Sequence, residues 1–147
     1  MAHNFKTFPE LTNNQMDLYY WESPHKQITE DFEAVVTKVV DGDTIRVKAE
    51  FRDFDFPVRL LNIDTPEKDE VGSKEGKDWL SERILNEDVQ IKINRKQRVG
   101  KYGRLLGKII HGGVDVGEQS IVMGHARKFD NKDEAKIPNV NKMFGGI

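Results

Sequence analysis

From Phe32 to Ile63 the chain reads as successive β-strands, and this run constrains the fold more than any other. Phe32 to Val40 is rich in β-branched residues and ends at Asp41-Gly42, a strong short-range hairpin signal. Asp43 to Glu50 reads as the return strand, because Ile45, Val47 and Ala49 alternate with Thr44, Arg46 and Lys48. Asp43 shares parity with the apolar set, so it either belongs only to the turn or needs a cation or metal beside it. A charged turn, Arg52 to Asp55, leads into a third strand from Phe56 to Ile63. Arg59 lies on the same face as Leu61 and Ile63, where a guanidinium either snorkels to water or points into a pocket.

After a polar loop, Lys68 to Gly76, the spacing of Trp79, Leu80, Ile84 and Leu85 predicts a helix over Lys77 to Asn86. Val89 to Asn94 and Gly103 to His111 read as strands four and five, separated by the basic loop Arg95 to Gly103. Val116 to Ala126 suits a second helix, with Val116, Ile121, Val122 and Met123 supplying its apolar contacts. Three strands, a helix, two strands and a helix predict an α+β class, mainly β with helices, and a five-stranded Greek-key barrel of the OB type. The expected organisation is an N-terminal extension over residues 1–31, the barrel over 32–128 and an irregular tail over 129–147. Within the extension, Thr12 or Asn13 could cap a short helix with Met16, Tyr19 and Tyr20 on one face, expected to dock on the barrel.

The length, 147 residues, is that of one domain, and the absence of cysteine removes disulfides, thiolate metal sites and thiol nucleophiles. The histidines, His3, His25, His111 and His125, have no paired metal-ligand spacing. No apolar run approaches the roughly 20 residues that span a bilayer, so no membrane partner is expected. Met1 to Glu10 has neither a basic leader nor an apolar signal core, which makes a cytoplasmic location the expectation. Secretion stays open if an export signal has been removed.

The chemistry-bearing residues gather in three stretches. In the first, Asp41-Gly42-Asp43-Thr44 closes the hairpin. The second, Arg59-Leu60-Leu61, leads to Asp64-Thr65-Pro66-Glu67; those last four residues read equally as a helix start, with Asp or Thr as cap and proline first. The third is a stripe of Lys92, Arg95, Lys96, Arg98, Lys101, Arg104 and Lys108 without an intervening acid, which either holds a polyanion or guards a strand edge.

Taken in order and with their spacing, these stretches resemble the staphylococcal nuclease, or thermonuclease, family, together with Gln97-Arg98 and Lys101-Tyr102-Gly103-Arg104. The resemblance runs from about Val35 to Lys128. It implies an OB-type barrel and a Ca²⁺-dependent nuclease acting on single- or double-stranded DNA and RNA as a monomer, leaving 3′-phosphate and 5′-hydroxyl ends. Carried over, Asp43, Asp64 and the carbonyl of Thr65 would bind Ca²⁺, and Glu67 would hold the attacking water. Arg59 and Arg104 would grip the scissile phosphate, with Lys101 and Tyr102 at a terminal phosphate. The chain departs from the family in its mixed loop (Asp69, Glu70, Glu75), in lacking a tyrosine pair near Phe129, and in lacking a long C-terminal helix. Met16, Tyr19, Tyr20 and Trp21 are expected to replace part of that helix's packing. The alternative is a barrel that binds nucleic acid without turnover.

Overall fold

A computed structural model describes residues 3–100 and 103–129; Lys101, Tyr102 and most of the expected C-terminal tail lie outside them. Strands β1 (Phe32–Asp41), β2 (Thr44–Lys48) and β3 (Phe56–Leu60) run antiparallel in sequence order. Asp41 pairs with Thr44 across the first hairpin, leaving Gly42 and Asp43 as its turn. A two-residue strand β4 (Ile63–Asp64) and helix α2 (Ser73–Ile84) follow. Strand β5 (Asp88–Lys92) then joins the other side of β1, and β6 (Leu105–His111) joins β5. Pairing of β6 with β3 in parallel, Val58 opposite Leu105 and Leu60 opposite Gly107, closes a five-stranded mixed barrel. The predicted α+β class and OB-type barrel are therefore what forms.

The barrel interior is filled as the alternation predicts: Ile45, Val47 and Ala49 from β2 and its end meet Val36, Val58, Leu60, Ile91, Leu105 and Ile109, all buried. Leu80 and Ile84 of α2 are fully buried against this core. Each such side chain contributes about 2–3 kcal/mol by leaving water. The helix begins at Ser73, after Gly72 at φ +90°, rather than at Lys77. Its first turn carries Ser73, Lys74 and Glu75, which face outward and give no apolar signal. Asp64 to Glu67 is accordingly not a helix start; Asp64 belongs to β4, which pairs with β8 (Arg127–Lys128). The short strand β7 (Val114–Asp115) precedes α3 (Val116–Val122), which Val116 and Ile121 hold in place. Leu85, Val122 and Met123 are exposed, contrary to the sequence expectation: Leu85 and Met123 are the caps that end α2 and α3, and Val122 lies on the solvent side of the last turn of α3.

The N-terminal extension docks, but not by the expected face. Helix α1 (Asn13–Tyr19) has a capping box in which Thr12 and Gln15 bond each other's backbone, yet none of its residues is buried. Trp21 is 92% exposed and Tyr20 47%, so they do not replace core packing. Docking comes from the residues that flank the helix. Leu11 and Ile28 are buried, and between them sits the carboxylate of Glu10, itself 2% exposed. Glu10 Oε2 accepts from Arg52 Nη2 at 2.6 Å, and Oε1 accepts from Arg98 Nη2 at 3.0 Å and from the Ile28 amide at 2.7 Å. Arg98 also donates to the carbonyls of Ile28 (2.6 Å) and Leu11 (2.8 Å), and the Arg52 guanidinium lies 4.5 Å from the Phe56 ring centroid.

Removing one member of such a buried ionic cluster strands the others, at about 3–5 kcal/mol. Deleting residues 1–24 removes Glu10 and Leu11 while leaving Arg52 and Arg98 in place. The deletion is expected to lower the thermal midpoint by well over 5 °C; an unchanged midpoint in a thermal melt would show that the extension does not hold the barrel.

Candidate functional site

The strand registers assemble one group of side chains from four separate segments. Pairing of β2 with β3 sets Thr44 opposite Arg59, and the Leu60 amide donates to the Asp43 carbonyl at 2.8 Å, so the hairpin turn sits over the end of β3. Arg59 is 5% exposed, which removes the snorkelling alternative. Its Nη1 donates to the Leu60 carbonyl at 3.0 Å, and its Nη2 lies 3.5 Å from Asp43 Oδ2 and 3.8 Å from Asp64 Oδ1. Asp64 reaches this point because Asn62, at φ +63°, turns the chain between β3 and β4. Arg104 arrives from the start of β6, whose parallel pairing with β3 brings it alongside. Arg104 Nη1 donates to Thr44 Oγ1 at 3.2 Å, and that hydroxyl donates in turn to Asp43 Oδ1 at 3.0 Å.

Thr65 closes the group from the other side. A Cβ added to Gly42 would stand 3.2 Å from Thr65 Cγ2, so the hairpin turn and the segment after β4 touch. Glu67 is exposed, and its backbone amide donates to Glu70 Oε1 at 2.7 Å. Among the described residues its side chain makes no hydrogen bond or ion pair with the Asp43–Arg59–Asp64 group. Of the site residues expected from the sequence, Asp43, Arg59, Asp64, Thr65 and Arg104 are thus brought together, and Glu67 stands outside the bonded group. Lys101 and Tyr102 lie outside the described residues.

Three further residues belong to the site. Asp41 hydrogen-bonds Asp43. Arg127 places Nη2 2.9 Å from Asp64 Oδ2. Phe129 sets its ring centroid 5.5 Å from the Arg59 guanidinium carbon, within cation–π range. The signal for Asp41 was present, as two acids flanking the hairpin glycine. Phe129 was marked only as the aromatic near the family's missing tyrosine pair, and Arg127 carried no signal, because β8 is only two residues long and makes no pattern. The basic stripe is corrected by the structure. Arg98 is buried on Glu10 and Arg104 faces Thr44, while Lys92, Arg95, Lys96 and Lys108 remain exposed.

The electrostatics separate the two hairpin acids. Burial pushes the Asp41 carboxyl up to about 6, reinforced by its hydrogen bond to Asp43 and by the charge there. Burial acts the same way on Asp43, but the hydrogen bond from Asp41 and the Arg59 charge outweigh it and hold that carboxyl below its ordinary value. Asp43 is therefore ionised at neutral pH. Asp43 and Asp64 offer hard oxygens on either side of one guanidinium, a donor set that suits Ca²⁺ or Mg²⁺ rather than a thiolate-seeking ion. Among the described residues no group of three or more His, Asp or Glu side chains is close enough to enclose an ion by itself, so carbonyl or water ligands would have to complete the shell.

The family described as staphylococcal nuclease homologue matches residues 57–143, more than half of the chain. The chain is 29% identical over 150 aligned residues to endonuclease YhcR of Bacillus subtilis strain 168, covering 88% of this chain and 12% of that protein. It is 32% identical over 79 residues to micrococcal nuclease of Shigella flexneri, covering 54% of this chain and 42% of that protein. An uncharacterized endonuclease of Escherichia coli O157:H7 is equally similar over the same length, with 48% of it covered. The chain thus spans between about an eighth and a half of the length of these curated relatives.

A carboxyl whose folded value lies above its unfolded value stabilises the fold at low pH, and that contribution fades as pH rises through the folded value. For Asp41 the window runs from about 4, the unfolded value, to about 6. Asn at position 41 keeps a donor for Asp43 and removes the titration. In chelator, the stability of Asp41→Asn relative to the wild type is expected to grow by about 1 kcal/mol between about pH 4.5 and about pH 7, after allowance for partial solvent exposure. Urea unfolding at the two pH values checks this, and a constant difference would contradict it.

Proposed function

Because the chain belongs to the staphylococcal nuclease homologue family, we propose that it is a Ca²⁺-dependent, sugar-nonspecific nuclease. It hydrolyses phosphodiester bonds of DNA and RNA, acts as a monomer, and leaves 3′-phosphate and 5′-hydroxyl ends. The observation that carries this reading is the buried guanidinium of Arg59 between the carboxylates of Asp43 and Asp64, with Arg104 one strand away. The nuclease names of the similar proteins support the reaction class.

A phosphodiester is an anion and repels an anionic nucleophile, so the site must supply positive charge where the phosphoryl oxygens gain negative charge. Arg59 does this with little reorganisation, because Leu60, Asp43 and Asp64 fix its guanidinium before substrate arrives. Arg104, held through Thr44, presents a second cation with fork geometry for phosphate oxygens. Asp43, Asp64 and the Thr65 carbonyl would hold Ca²⁺, which when bound supplies charge to the phosphate and a more acidic water. Arg127 is 81% exposed at its side chain, so it can leave Asp64 when the ion and substrate take its place. Glu67, on the exposed turn after Thr65, accepts the proton of the attacking water, and Lys101 and Tyr102 receive the terminal phosphate.

The test is cleavage of an end-labelled single-stranded DNA with Ca²⁺, with chelator, and with variants in Ca²⁺. Cutting is expected only with the ion. It should fall by about 10²–10³-fold in Arg59→Ala and in Arg104→Ala, and by orders of magnitude in Glu67→Gln. Ion-independent binding of the DNA without any cutting would instead make the chain a non-catalytic nucleic-acid-binding barrel.

A further inference from the structure

The anchor at Glu10 leads, through one short pairing, to Arg104. Residues 97–100 and 103–106 pair with each other. The Leu106 amide donates to the Arg98 carbonyl at 2.8 Å, Val99 bridges Leu105, and the Gly100 amide donates to the Arg104 carbonyl at 2.9 Å. Arg98 and Arg104 are therefore coupled through this pairing, beside the β3–β6 register that brings Arg104 to Thr44. The Arg98 side chain is committed entirely to the N-terminal segment, to Glu10, Leu11, Asn13 and Ile28. Beside this pairing, Asn13 Nδ2 donates to the Arg95 carbonyl at 2.8 Å.

The other side of the pairing is held as well. Gly103, the residue before Arg104, adopts φ +73°, a conformation that suits glycine. A Cβ at Gly103 would stand 2.6 Å from Phe8 Cδ1, so the phenyl ring lies against the bare α-carbon. The N-terminal segment thus contacts both sides of this pairing, at Arg95 and Arg98 on one side and at Gly103 on the other, next to Arg104.

We propose that the N-terminal segment is part of the catalytic apparatus, with Glu10 and Phe8 as positioning residues that act on Arg104 through the pairing of residues 97–100 with 103–106. This rests on the phosphate-binding role of Arg104 given above. Neither residue touches substrate. Their effect falls on the transition state, where a small displacement of a phosphate-gripping arginine is costly, and leaves ground-state binding by the rest of the groove nearly intact.

The experiment compares wild type, Phe8→Ala, Glu10→Gln and Ile84→Val. The last is a core substitution under α2, remote from this pairing, that supplies a destabilised control. Steady-state cleavage of a single-stranded DNA in Ca²⁺ is measured below every melting midpoint and scaled to the folded fraction. Phe8→Ala and Glu10→Gln are expected to lower kcat by about 10- to 100-fold with KM changed little, Phe8→Tyr to restore most of the loss, and Ile84→Val to behave as wild type. Phe8 is 41% exposed, so Phe8→Ala keeps the test open should Glu10→Gln fail to fold. Wild-type kcat in folded Phe8→Ala overturns the proposal. Amide exchange at Gly100 and Leu106, read on the same proteins without substrate, separates the two levels of argument. Faster exchange confined to this pairing is expected in Phe8→Ala even if the wild type cuts nothing, in which case the nuclease reading fails alone. Unchanged exchange overturns the positioning role.

Discussion

The parallel pairing of β3 with β6 is the contact on which this molecule depends. Every other ladder of the barrel joins antiparallel neighbours, and without β3–β6 they would form an open, curled sheet. With that pairing, Val58, Leu60, Leu105 and Ile109 share one interior. The same register that shuts the core carries Arg59 and the approach to Arg104 to one end of it. Closure and site assembly are one event, so the core cannot be repacked around this seam without moving the two arginines relative to each other.

Among the described residues two buried ionic clusters stand out, and they are built the opposite way round. At Arg59 one guanidinium is shared by two aspartates; at Glu10 one carboxylate is shared by two arginines. At the first, the exposed Arg127 adds a second cation on Asp64, one that a divalent ion could displace. The second leaves positive charge in excess, spread over the rings of Phe56 and Phe54 and over backbone carbonyls. The first cluster is built to exchange partners at the surface. The second is closed, with side chains 2% exposed or less, and has the character of a rivet.

Much of this was legible in the sequence because the barrel obeys period two. Ile45, Val47 and Ala49 lie inside as their alternation requires, and Arg59 was marked by breaking an apolar face. The start of α2 was not legible, since its first turn is polar on all sides. Nor was Arg127, which comes to the site by a two-residue bridge. The largest misreading concerned Arg98. A basic residue in a basic stripe looks like surface charge, and only the fold reveals a buried glutamate from 88 residues earlier facing it. Local composition cannot report a partner so distant.

That distance has an entropic side. Glu10 precedes Arg52 by 42 residues and Arg98 by 88, so the rivet closes two long loops of the chain at once. Closing loops of that length is an entropic cost that local strands do not incur. The same span makes the N-terminal segment a long-range cross-brace, tying the turn after β2 to the segment that leads into β6, two places far apart along the chain.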